Sequence, residues 1–112
     1  MKLVEYIKEI KGQVLTKVPH LEEVEVENGY ASDLLSDVMG SAGENMAWIT
    51  IMRHLNVVAV ASLAGIPIVV FSKGIIPDEV VISKANEEGI HMISSSLDTF
   101  ELAGILYKQI HS

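Results

Sequence analysis

One pattern occurs twice in this chain, 24 residues apart: Ala-x-x-x-Gly-Ile-x-apolar-apolar-x-x-Ser, at residues 61–72 and again at 85–96. In each copy a helix runs into a glycine, which can take the left-handed backbone that stops it, and an apolar run follows. Repeated helix-to-strand units of this length imply parallel strands joined by right-handed crossovers. The 112 residues have room for one such domain, spanning residues 1–112.

The stretch from Trp48 to Ser72 holds the first copy and leads into it. Met46 to Ile49 reads as a buried strand ending at Thr50. Val57, Val58 and Val60 favour a strand by propensity, but the length of residues 53–64 and the Gly65-Ile66-Pro67 exit favour a helix, the reading adopted. That helix is apolar nearly all round and requires cover on more than one side. Ile68 to Phe71 is a central strand, followed by Ser72-Lys73-Gly74. Pro77 stands at the first position of the next helix, with Asp78 and Glu79 at its positive end and Gly89 as its stop. Ile90 to Ile93 is a strand. Ser96 caps the last helix, whose apolar face is Phe100, Leu102, Ala103, Leu106 and Ile110.

Upstream, Leu3, Val4, Ile7 and Ile10 make a short amphipathic helix that Gly12 ends, and Val14-Leu15 a short strand. Lys17 to Glu23 connects to Val24 and Val26, which alternate with glutamates as in a strand with one wet face. Asn28-Gly29 turns the chain. Ser32 caps a helix carrying Leu34, Leu35, Val38 and Met39, and Gly40 stops it.

Charge and composition narrow the function. A net charge of -7, with eight Lys and Arg scattered along the chain, disfavours a partner made of nucleic acid. Without cysteine, disulfides, thiolate zinc sites and cysteine nucleophiles are excluded. Glu5 stands where a signal peptide would be apolar, and no apolar run reaches the ~18 residues of a spanning helix. The expected setting is cytoplasmic, away from membranes. Hydrophobic residues make up 49% of the chain, which suggests apolar surface covered by a partner, most simply a second copy. The expected interface is the helix from Leu55 to Ala64, with Phe100 to Ile110.

In parallel α/β sheets ligands gather at the carboxyl ends of the strands. Those ends are Thr50, Ser72-Lys73-Gly74 and Ser94-Ser95-Ser96. Hydroxyls beside helix N-termini suit phosphate or carboxylate, and Arg53, the one arginine, and Lys73 are the nearest cations. Two readings stand: an anion or nucleotide site using Thr50, Arg53, Ser72, Lys73, Gly74 and Ser96, or ordinary helix capping. Asp33 and Asp37 are one helical turn apart on one side. They suit a hard cation or an acid/base pair, or else an exposed face or a salt bridge to Arg53. Asp98 and Glu101 suit the dipole of the last helix. His20, His54, His91 and His111 show no metal spacing, and no metal or cofactor is expected. The glycine-rich loops of P-loop and dinucleotide-binding proteins are absent, as is the Gly-x-Ser-x-Gly elbow. Enzyme is the less favoured class.

Several segments together resemble the DRTGG domain family: Ala31-Ser32-Asp33-Leu34-Leu35-Ser36-Asp37-Val38, then Ile49-Thr50-x-x-Arg53, Ala61 to Pro67, Ser72-Lys73-Gly74 and Leu97-Asp98-Thr99-Phe100. The resemblance covers about residues 14 to 110. It implies a three-layer α/β/α fold with a mostly parallel central sheet, similar to the N-terminal domain of HPr kinase/phosphorylase without its kinase site. It also implies a regulatory module. Such domains accompany CBS domains in some inorganic pyrophosphatases, where members respond to adenine nucleotides through the CBS pair. Where the family has Thr-Gly-Gly, this chain has Ser72-Lys73-Gly74, which restricts positive φ at the first glycine.

The expectation is a non-catalytic regulatory or sensor module that homodimerises and binds a small anionic ligand such as an adenine nucleotide. The alternatives are a protein-interaction subunit without ligand and, less favoured, a small enzyme using Asp33, Asp37 and Arg53.

Overall fold

In the computed structural model, which describes all 112 residues, apolar side chains alternate along each central strand and bury both faces of one sheet. The strands are β1 (Gln13–Val14), β2 (Asn28–Ala31), β3 (Met46–Thr50), β4 (Ile68–Phe71) and β5 (His91–Ser94). The helices are α1 (Leu3–Glu9), α2 (Leu35–Ser41), α3 (Leu55–Ala64), α4 (Glu79–Glu88) and α5 (Thr99–Ile110). The sheet order is β1-β5-β4-β3-β2. β2 to β5 are parallel and β1 pairs antiparallel with β5.

The period-2 alternation of strand side chains divides the core in two. Trp48, Val69, Phe71 and Met92 face Val38 of α2, Val57, Val58 and Ala61 of α3, and Val81 and Ala85 of α4. Ala47, Ile49, Ile68, Val70 and Ile93 face Leu3, Tyr6 and Ile10 at α1, and Leu102 and Leu106 of α5. The result is the α/β/α layering and mostly parallel sheet expected from the sequence. On the second face the buried Tyr6 hydroxyl donates to the Leu102 carbonyl at 2.8 Å. Burial there pushes the phenol's pKa well up, because the phenolate would lose its solvation.

Both copies of the repeated pattern form the same structure. Gly65 and Gly89 sit at φ 76° and 71°. In each copy the following isoleucine N–H closes the helix, Ile66 onto the Ala61 carbonyl at 2.8 Å and Ile90 onto Ala85 at 2.9 Å. This arrangement satisfies carbonyls that a helix end leaves open.

Other local expectations are corrected. Asn28-Gly29 is strand rather than turn, and Val24 and Val26 lie before it, where Lys2 and Glu25 form only an isolated bridge. The reason is tertiary. A Cβ on Gly29 would lie 2.4 Å from Leu106 Cδ2, so the glycine lets α5 press onto β2. Gly40 does not stop α2, which runs to Ser41. Ser32 accepts from the Leu34 N–H at 3.2 Å, two residues on and ahead of the helix. Pro77 precedes the helix, and Asp78 occupies the cap position of α4. Asp98, not Ser96, caps α5, accepting from the Glu101 N–H at 2.8 Å while Glu101 reaches back to the Asp98 N–H. This reciprocal pair is the capping box, in which each carboxylate satisfies a backbone donor that has no helical partner. Within the single chain α3 lies on the sheet between α2 and α4: Val57, Val58 and Ala61 are buried, while on its outer side Leu63 is 77% exposed. No helix is long and apolar enough to cross a membrane.

Candidate functional site

The parallel strands bring the loops after β2, β3, β4 and β5 to one edge of the sheet. Neighbouring strands lie ~4.8 Å apart, so these loops form a row. The expected residues lie on or beside it, but the structure engages most of them internally.

Thr50 is fully buried. Its hydroxyl donates to Asp33 Oδ1 at 2.8 Å and accepts from the Met52 N–H at 3.1 Å. The same carboxylate oxygen accepts from the Ile51 N–H at 2.9 Å. Asp33 therefore lashes the loop after β2 to the loop after β3. Trp48 reinforces the join, its indole N–H donating to the Ser32 carbonyl at 2.8 Å, the polar partner a buried indole needs. Asp37 accepts from the Tyr30 hydroxyl at 2.7 Å. The two aspartates do not form a shared site: Asp33 precedes α2 and each takes a different partner. Neither pairs with Arg53, which is exposed and takes part in none of the four ion pairs of the chain.

Ser72 is also fully buried, its Oγ 2.9 Å from Thr99 Oγ1. The turn that follows is closed to an anion. The Lys73 N–H donates to the Leu97 carbonyl at 2.8 Å and the Gly74 N–H to Ser95 at 2.7 Å. Lys73 takes φ 59° although it is not glycine, so the expected restriction at this position is overcome. Two backbone bonds over-determine a conformation that costs an L-residue about 1–2 kcal/mol. Its ammonium is left for the solvent. Ser96 is exposed and stands apart from the buried hydroxyls. Ile68 pairs with His91 and Phe71 with Ser94, one residue short of the 24-residue repeat, so Ser95 takes the place beside Ser72. Ser95 is buried and donates to the Ile10 carbonyl at 2.8 Å.

The starts of α2, α3 and α4 on this edge lack a side-chain cap bond, and the one with an arginine beside it is that of α3. Its cap position, His54, makes no side-chain cap bond, and its first turn holds no acidic residue. Arg53 and His54 are exposed beside it. Around them the edge is apolar. Leu34 is 64% exposed, Ile76 49%, Leu55 47%, Ile51 40% and Phe100 86%. The interface expected from the sequence takes in Leu55 and Phe100 but not the loop positions Leu34, Ile51 and Ile76. Their signal was present in Ile51-Met52 and Ile75-Ile76, apolar pairs where turns are ordinarily polar.

Elsewhere a cleft of about 130 Å³ lies between β2 and α5, lined by Gly29, Ala31, Ile49, Leu106, Ile110 and their neighbours. Tyr107 and His111 also line it, their rings stacked with centroids 4.1 Å apart. None of the expected residues reaches it. No three His, Asp or Glu side chains come together as a metal would require.

The structure is similar to a solved structure of the CBS and DRTGG domains of the regulatory region of Clostridium perfringens pyrophosphatase, complexed with its activator diadenosine tetraphosphate. The TM-score is 0.79 at 12% sequence identity, over 94% of this chain and 45% of that one. The likeness establishes the shared α/β fold, in keeping with the resemblance read from the sequence. This chain spans just under half of that chain's length. No family model matches the sequence, and no curated protein does.

Proposed function

We propose that the chain is a non-catalytic regulatory module that homodimerises. The observation that carries this reading is the division of labour on the carboxyl edge of the sheet. Thr50, Ser72 and Asp33 are committed to hydrogen bonds within the fold, and the edge offers solvent a row of apolar side chains around Arg53 and His54. Such a row suits association rather than chemistry. Light scattering at micromolar concentration is expected to give the mass of two chains; the mass of one would overturn the reading.

A small anionic ligand such as an adenine nucleotide is the second reading. It is favoured by the uncapped start of α3 with Arg53 and His54 unpaired beside it, where backbone N–H groups and the helix dipole attract anions. The pyrophosphatase region of similar fold was solved with a nucleotide activator, which supports this choice of probe. Millimolar AMP is expected to raise the melting temperature of the wild type and to have less effect on Arg53→Ala. An absence of shift leaves a protein-interaction subunit.

A further inference from the structure

We propose that two copies meet through the loops after β3 and β4, about a two-fold axis normal to the sheet between those strands. The inference rests on the homodimer reading above and adds the surface and its register. Six of the eleven exposed large apolar side chains lie in the loops after the strands or at the helix starts that follow, which singles out this edge from the rest of the surface. β3 and β4 are paired neighbours, and the helices that follow them, α3 and α4, cover the same face of the sheet. An axis normal to the sheet turns the strands end to end, sets each β3 loop against the other copy's β4 loop, and keeps each helical layer on its own side.

The two loops are complementary in that register. The first carries Ile51 and Leu55, the second Ile76 and Val80, all between 40% and 67% exposed. Between the apolar pairs the charges are opposite. Arg53 and the start of α3 are positive and have no acid or side-chain cap in their own chain. Asp78 stands at the start of α4, makes no side-chain cap bond and has no cation of its own. The axis therefore puts the other copy's Asp78 against Arg53, twice over. An axis lying in the sheet across the strands would instead set each β3 loop against the other copy's β3 loop and bring the α3 layer of one copy opposite the α5 layer of the other, so that Asp78 would not meet Arg53. The body is large enough to bear such an interface. A stable interface takes ~800 Å² from each partner, about one face of a body measuring 35 × 27 × 24 Å.

Sedimentation velocity over a concentration series tests this with four exposed-site variants of the full chain, their folding checked by circular dichroism. Arg53→Glu and Asp78→Arg are each expected to raise the dimer Kd about tenfold or more, as close interfacial charge pairs do. The double variant Arg53→Glu/Asp78→Arg is expected to return to within about threefold of the wild type, and Leu55→Glu to be monomeric. Weakened single variants without rescue would overturn the register. An unchanged Kd in all four would overturn the surface while leaving the homodimer intact. A monomeric wild type would remove both.

Discussion

α3 and α4 are ten residues each, end in the same glycine geometry, and pack side by side on one face of the sheet. Their sequences nevertheless differ sharply. α4 has charged residues at Glu79, Lys84, Glu87 and Glu88; α3 has none. The buried positions explain what they share: Ala61 in α3 and Ala85 in α4 are both fully buried, and each stands at the close approach of helix to sheet. The backbone is set by the alanine and the glycine, so the outer face is free to vary. That freedom lets one helix start as a positive, apolar end and its neighbour as a negative one.

The sharpest way to break this equivalence is to enlarge the shared alanines. Ala61→Leu and Ala85→Leu are each expected to lower stability by about 1–3 kcal/mol, measured by urea denaturation. A clear inequality would mean that the two helices are not seated alike. The glycine stops come next. Gly65→Ala and Gly89→Ala are each expected to cost about 1 kcal/mol, the left-handed penalty partly offset by a stiffer unfolded chain. The added methyl itself meets only ordinary contact, with Glu44 Cγ at 3.5 Å in one case and nothing within 4 Å in the other.

The smallest effect separates the strands that follow the two helices. Where β4 begins with Ile68, β5 begins with its register partner His91. His91 is 5% exposed, and burial holds its pKa below the ordinary 6.5. Between the folded value and 6.5 the unfolded chain binds more protons, so stability falls as pH drops through that window and levels off below it. The difference between wild type and His91→Phe in thermal melts from pH 8 down to pH 4 is expected to show this loss as a wild-type deficit growing below about pH 6.5.

These pairs also show why parts of the fold were legible in the sequence. Ile68 to Phe71 and the second copy of the pattern carry their message locally, in apolar runs bounded by glycine, so the parallel sheet could be read directly. Asn28-Gly29 carries a strong local turn signal that packing overrides, because Leu106, far along the chain, occupies the space a side chain would need. The cap of α5 was missed by two residues, for Ser96 and Asp98 are both good caps and only the chain path chooses. The candidate site was less legible still. Thr50 and Ser72 were read at strand ends, whereas Asp33 was read on the helix it in fact precedes, and a sequence does not reveal that their hydrogen bonds are already satisfied within the fold.

The bond from Tyr6 to Leu102 joins residues 96 positions apart, and it has a consequence for the order of events in folding. α1 and α5 together cover one face of the sheet, so α1 cannot settle fully until α5 has been made. Until then Ala47, Ile49, Ile68, Val70 and Ile93 are bare to water, a continuous sticky surface on a chain still being made. Long-range closure of this kind slows folding and leaves the intermediate prone to aggregation. Shortening the chain within α5 should therefore yield insoluble protein, rather than a smaller and weaker version of the same domain.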